Sequence, residues 1–511
     1  MKKALFVASL LSCLALIILH CNNQPRAKKA TDSPSGKELA QAMCSSCHKF
    51  PQPDLLDKKS WEMFVLPRMG YFLGHYDAEN TRDKLIEDGP AESLVLAQNI
   101  FPEAKLIDSI SWEKIKSFYL ENSPVILPKA KHLPIAKSND TFTPIRPVYQ
   151  LNPPSVTAIY TNENNLMIGD AFTGAVHLFN KQLQFLGAAK TNESPVWISE
   201  NENAFLVTVM GSFSPTDAPS GALISIPKNT KEKTSVLISN LQRPVHHATA
   251  DFDNDGNTDF VICEFAKWTG SLSWYKNLGD NQFEKRVIRN TPGSMKAYPT
   301  DWNGDGHTDI IALFGQGNEG IWAFINDGNG NFMEQTIKHL APSFGSSFLQ
   351  LQDLNSDGNL DLVYCAGDNA DFGPIIKPYH GIYLWFNDGE NHFNDSIFLP
   401  LNGAYSAIPR DFDQDGDLDI ASISFFPNYV ESPEESFVYF ENNGDWTFKA
   451  SSIKQATAGR WIVMETNDLD GDKDLDLILA SLAFEVPGHD SLVNKWVQNG
   501  IPFIVLENKT K

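Results

Sequence analysis

Asp251-Phe-Asp253-Asn-Asp255-Gly-Asn257-Thr-Asp259 decides the fold, because the same pattern returns four more times downstream. The copies are Asp301-Trp-Asn303-Gly-Asp305-Gly-His307-Thr-Asp309, Asp353-Leu-Asn355-Ser-Asp357-Gly-Asn359-Leu-Asp361, Asp411-Phe-Asp413-Gln-Asp415-Gly-Asp417-Leu-Asp419 and Asp468-Leu-Asp470-Gly-Asp472-Lys473-Asp474-Leu-Asp476. Their starts lie 50, 52, 58 and 57 residues apart, a period that belongs to propellers and solenoids. Oxygen ligands at the first, third, fifth and ninth positions, with a backbone carbonyl at the seventh, wrap a hard cation the size of Ca²⁺. Glycine at the sixth position permits the tight turn. Lys473 replaces it in the last copy, which predicts a weaker or distorted site there. The twelfth position is Ile262, Ala312, Tyr364, Ser422 or Leu479, never the bidentate glutamate of an EF-hand. The ninth runs straight into strand-like sequence such as Phe260-Val-Ile262, where an EF-hand would begin a helix. These are calcium loops between β-strands.

A second pattern follows each of the first four loops. Asn277-Leu-Gly279, Asn326-Asp-Gly328, Asn387-Asp-Gly389 and Asn443-Gly444 read as hairpin turns between strands. Each unit is then strand, calcium loop, strand, variable loop, strand, turn, strand, which is one four-stranded propeller blade. The repeated pattern resembles the FG-GAP/VCBS repeats of integrin-like β-propellers. Two weaker units without the aspartates, Tyr160 to Phe185 and Trp197 to Pro227, bring the expected count to seven blades. The last unit ends on its third strand, Phe503 to Asn508. The ring is expected to close with a strand near Arg146 to Leu151, which removes an exposed edge. The loops between second and third strands should emerge opposite the calcium loops. They carry Phe372, Tyr379, His380, Tyr429, His489 and Trp496, an aromatic rim suited to docking a protein, a carbohydrate or another domain.

Upstream, Cys44-Ser-Ser-Cys47-His48 reads as a c-type haem attachment site: two thiols for the haem vinyl groups and an imidazole for the iron. No further cysteine follows until Cys263, so a four-ligand zinc site lacks its partners. A short helical stretch, Gly36 to Met43, leads into the cysteines. Trp112, Ile115, Phe118 and Tyr119 mark one face of a later helix that stops at Pro124. Two such helices around C-x-x-C-H resemble the class I cytochrome c fold. Ser60-Trp61 through Arg68-Met69-Gly70 is similar to the distal segment of small cytochromes, which implies Met69 as the sixth iron ligand. Met63 and His75 are the alternatives. The fold expected is thus multidomain: a small all-α cytochrome c-like domain over residues 36–124, a Pro-rich linker over 125–147, and an all-β propeller over 148–511. The linker reads first as a spacer, the alternative being that Lys129, Lys131, Lys137 and Arg146 lay it against the acidic propeller.

Lys2 and Lys3 precede an apolar run from Ala4 to Leu19, too short to span a bilayer, and this reads as a signal peptide over residues 1–21 with a tether over 22–35. Ile18-Leu19-His20-Cys21 resembles a bacterial lipobox, with His20 where a small residue is usual; Leu10-Leu11-Ser12-Cys13 is the other candidate. The expected location is the cell envelope, periplasm or cell surface, with a lipid anchor at Cys21 as the membrane contact. Of six cysteines, only Cys263 and Cys365 then remain, read as buried apolar residues. The formal charge of −22 argues against nucleic acid as a partner. The five loops hold 20 aspartates, and five bound Ca²⁺ would move the charge to −12.

The function expected is single-electron transfer by a haem protein with an unidentified redox partner, the propeller binding that partner or another ligand. No Ser/His/Asp spacing, H-E-x-x-H or phosphate-binding glycine loop is recognisable, so an enzyme is not the primary reading. The alternatives are a propeller-based oxidoreductase or polysaccharide-acting enzyme with haem as relay, and an adhesion or lectin-like protein.

Overall fold

Asp259–Glu264, Asp309–Phe314, Asp361–Ala366, Asp419–Ser424 and Asp476–Ser481 are short apolar runs without alternation, and every residue in them is buried. A strand covered on one face alternates; one sandwiched on both faces does not. Each run is the second strand of a blade, pressed between neighbouring blades. The fourth strands, such as Phe283–Arg289, are mostly exposed and form the outer wall.

In this computed structural model, which describes residues 33–229, 231–370 and 375–510, the repeats build a seven-bladed β-propeller. Blades 1 to 7 occupy residues 156–190, 195–241, 244–289, 294–339, 346–400, 404–451 and 461–508. The two aspartate-free units are blades 1 and 2. The apolar N-terminal run, Cys13, Cys21 and Phe372 lie outside the described residues. Cys263 and Cys365 are buried and unpaired.

Blade 7 supplies three strands, and its fourth is Phe142–Ile145, antiparallel to Phe503–Asn508 with Phe142 opposite Asn508 and Ile145 opposite Val505. The closing strand therefore lies just upstream of the Arg146–Leu151 segment expected from sequence. Pro144 sits in this strand without harm because an edge strand need not donate from every residue. Phe142 is buried edge-on against Phe412 and Tyr439 of blade 6, with ring centroids 5.6 and 5.4 Å away. On the other side, Ile478 and Val505 of blade 7 share a core with Val156, Ile168 and Phe179 of blade 1.

The linker is more than a spacer. Ile135 and Ala136 pair in parallel with Ala450 and Ser451, adding a fifth strand to blade 6. Lys129 reaches Glu431 at 2.9 Å, and His132 Nδ1 lies 3.1 Å from the buried carboxylate of Glu435. The chain is thus strapped along blade 6 before it closes blade 7, so the propeller begins earlier than residue 148.

Residues 36–122 form a small helical unit. Helix α1 (Gly36–Cys44) lies across α3 (Ser109–Asn122), with α2 (Leu66–Phe72) beside them. A Cβ on Gly36 would stand 2.2 Å from the Lys114 carbonyl oxygen, so only glycine admits this crossing. Ala40, Leu56, Trp61, Leu66, Trp112, Ile115 and Tyr119 make the core. Asp108 caps α3 by accepting the Ser111 N–H at 2.9 Å.

The unit docks on the propeller face opposite the aspartate loops. Phe72 and Phe101 stack on each other, and both meet the edge of Trp268 at 5.4 and 5.7 Å. Tyr379 donates to the Leu55 carbonyl at 2.9 Å, Lys49 to that of His339 at 2.7 Å, and Thr216 to Glu87 at 2.6 Å. Much of the expected aromatic rim is consumed by packing: His380 and Trp496 are buried, and residues Asp490–Asn499 form helix α4 within the last long loop.

Truncating Phe142 to alanine should remove its aromatic contacts and weaken ring closure by about 3 kcal/mol. Equilibrium urea denaturation of the two proteins measures the difference.

Candidate metal loops and the Cys44–His48 segment

The five loops share one hydrogen-bond pattern. The first carboxylate accepts the N–H of the sixth residue, at 2.9, 3.0, 2.9, 3.1 and 3.2 Å in chain order. The fifth accepts the N–H of the seventh at 2.8–3.2 Å. The ninth is buried; its Oδ2 takes the N–H of the second residue and its Oδ1 the N–H of an asparagine ending the third strand. Those asparagines are Asn277, Asn326, Asn387, Asn442 and Asn508, at 2.7–2.9 Å. Asp419 Oδ2 also accepts the Tyr439 hydroxyl at 2.6 Å, but each ninth carboxylate keeps a lone pair on Oδ1, so this clamp is compatible with a bound cation.

The asparagines also join blades. Asn326 Nδ2 donates to the Phe252 carbonyl of the preceding blade, and Asn508 Nδ2 to that of Phe412, both at 2.7 Å. The Asn-Gly turn signal located the first three; in blade 6 it pointed to Asn443, one residue past the clamping Asn442. Their role as clamps on the ninth carboxylate is a tertiary feature that the sequence pattern leaves open.

Carboxylate oxygens converge to within 4.8 Å in three loops: Asp251, Asp253 and Asp255; Asp411, Asp413 and Asp419; Asp468, Asp470 and Asp472. The loops at 301 and 353 carry Asn303 and Asn355 at the third position, whose amides donate to Asp305 and Asp357 at 2.8 and 3.0 Å. The residues fit a hard cation on two further counts. Asp253 Oδ1 and Asp411 Oδ1 are buried and meet no donor. In the first loop the Lys276 ammonium stands between Asp253 and Asp255, a positive charge where a cation belongs. Burial, and then the neighbouring carboxylates Asp419 and Asp415, push Asp413 up to about 6. Burial is also the first cause for Asp476, likewise at about 6. A divalent ion relieves this repulsion.

The sixth residue has a left-handed backbone in every loop, with φ +86, +87, +90 and +100° at Gly256, Gly306, Gly358 and Gly416, and +82° at Lys473. The lysine therefore keeps the shape of the turn, with the strain of a side chain in that region.

In the helical unit, Cys44 is half-buried at the end of α1 and Cys47 is exposed. Tyr119 donates to the Pro51 carbonyl at 3.0 Å and lies 3.9 Å from Cys44 Sγ. Burial pushes the Cys44 thiol up and the His48 imidazole down. His48 Nδ1 bonds the Lys49 carbonyl at 3.0 Å. Met69 packs on the same apolar cluster as Cys44, whereas Met63 is 60 % exposed. His75 Nε2 bonds the Ile107 carbonyl at 2.9 Å and its ring stacks on Trp112, beside a cavity of about 320 Å³ lined by Leu66, Gly70 and Tyr71.

Comparison with known proteins bears on the propeller alone. The FG-GAP-like repeat family model matches residues 251–312, 301–364 and 353–422. No curated protein matches the chain. Among solved structures, the crystal structure of the Saccharomyces cerevisiae Sqt1 is similar at TM-score 0.43 and 12 % identity, covering 73 % of this chain and 100 % of that one. Residues 251–422 thus carry FG-GAP repeats, standing as blades of a seven-bladed propeller, an architecture that suggests a binding module.

Lys473→Gly should relieve the left-handed strain and stabilise the protein by about 1 kcal/mol. Thermal melting of the variant beside the parent measures it, and the expected shift is upward.

Proposed function

We propose that the protein is an exported c-type haem protein for single-electron transfer, with a calcium-stabilised propeller as its partner- or ligand-binding module. The observation that carries this reading is the state of the Cys44–His48 segment. Free Cys44 ends α1, free Cys47 lies in the turn that follows, and the histidine after them has Nδ1 bonded to a backbone carbonyl. An imidazole fixed through Nδ1 has Nε2 left to bind iron and a set ring orientation. Tyr119 steadies Cys44 from the opposite helix, and Lys49 ties the segment to the propeller through the His339 carbonyl. Haem bound there would supply one-electron chemistry at iron.

For the sixth ligand, three placements favour Met69: it shares the Cys44 cluster, Met63 points largely to water, and His75 Nε2 is already engaged by Ile107. The loops are read as holding up to five Ca²⁺ through hard oxygen donors. They lie opposite the helical unit, so calcium acts on the propeller and the redox partner meets the helical face. The acidic chain suits a partner with a basic contact surface. An exported chain lipidated at Cys21 places this exchange in the cell envelope.

The test is a reduced-minus-oxidised spectrum of the full chain made in a host that matures c-type cytochromes. A haem signal surviving acid-acetone extraction and lost in the Cys44→Ala/Cys47→Ala variant is expected. Met69→Ala should abolish the weak thioether-to-iron charge-transfer band; a band that persists would remove Met69 from the assignment.

A further inference from the structure

The fifth loop departs from the others at its seventh position. In blades 4, 5 and 6 the side chain there lies towards the glycine of the following hairpin turn. A Cβ on Gly328 would stand 2.5 Å from the His307 ring, one on Gly444 2.9 Å from Asp417 Oδ2, and one on Gly389 3.5 Å from the Asn359 amide. In blade 7 no hairpin follows Phe503–Asn508 among the described residues, because the fourth strand comes from Phe142–Ile145. Asp474 has no such glycine beside it, and neither has Asn257 in blade 3; but Asn257 is exposed, whereas Asp474 alone among the five seventh residues is buried, 3 % exposed.

Both Asp474 oxygens are shut off from water and meet no hydrogen-bond donor. The charged groups acting on it are further carboxylates, Asp472 most strongly, then Asp476 and Asp470. Lys509, which acts on Asp470 and Asp472, is paired with Glu507. A carboxylate withdrawn from water, without a donor and among like charges, must take up either a proton or a positive ion. Asp468, Asp470 and Asp472 already converge at that end of the loop.

We propose that Asp474 is a direct ligand of the fifth cation, giving this loop a side-chain oxygen where the others offer a backbone carbonyl, and that this cation locks the ring. The inference rests on the calcium reading of the loops. Ligand charge sets affinity in such sites, so loop 468–476 is the tightest of the five despite Lys473. Its link to closure is short. Asp476 Oδ1 accepts the Asn508 N–H at 2.9 Å, Asn508 Nδ2 reaches the Phe412 carbonyl, and Asn508 is the register partner of Phe142.

The experiment is calorimetric titration of calcium into the chelator-treated full chain, with Asp474→Asn and Asp417→Asn beside it. Asp474→Asn should weaken the tightest site by at least about tenfold, while Asp417→Asn leaves that site unchanged. Asp474→Asn should also melt above the parent without calcium, its unmet charge gone, and below it with calcium saturating. An unchanged tightest site, or a higher melt under both conditions, overturns the proposal. A parent chain that takes up no calcium overturns the loop reading itself, a separate failure. If the variant does not fold, hydrogen exchange on the parent decides. Residues 142–145 and 503–508 should gain protection at lower calcium than 301–309, and the reverse order refutes the lock.

Discussion

At the ninth position of every aspartate loop a carboxylate is withdrawn from water, and much of the ring depends on how that charge is satisfied. Two backbone N–H groups meet it, one from the loop and one from the asparagine ending the third strand. A buried carboxylate with fixed donors is stable; with either donor lost it becomes a costly defect. The clamp therefore couples the turn between strands one and two to the end of strand three. Two of those asparagine side chains carry the coupling onward to the previous blade. Local loop chemistry and blade-to-blade order are one device.

The remaining carboxylates set a different problem. Their oxygens face each other at the open end of the loop, and repulsion there opposes the folded form unless a cation is present. The arrangement places this burden on blades 3 to 7, while the corresponding turns of blades 1 and 2, 162–165 and 201–203, carry one acidic residue each, Glu163 and Glu202. The ring also closes at the most acidic end, where Phe142–Ile145 completes blade 7 and the linker is strapped along blade 6. Anything that orders the fifth loop acts on closure directly. The helical unit is held on the opposite face by Trp268, Tyr379 and Lys49.

Most of this frame was legible in the sequence. The aspartate loops fix their own backbone shape, so their period located five blades, and strand alternation supplied two more. The helix faces at Trp112 and Tyr119 were equally plain, since period and burial agree. What escaped was set by partners distant in the chain. Phe142-Thr-Pro-Ile145 carries a proline that argues against a strand, and only its edge position makes it one. Ile135 reads as linker until blade 6 offers it a free edge. The aromatic loop residues looked available for a ligand, but His380 and Trp496 are spent on packing. Lys473 suggested a distorted loop, yet its backbone follows the glycines of its neighbours. Asp474 looked like any seventh residue, and only the folded structure shows it buried.

Metal content of the purified full chain tests the account most directly. Material matured in a host that attaches haem c and kept in calcium should carry one iron and five calcium ions per chain, one for each aspartate loop in the sequence. Iron absent from such material would contradict the haem assignment at Cys44–His48. Calcium absent from it would leave the converging carboxylates without their counter-ion and contradict the account of how the ring is held.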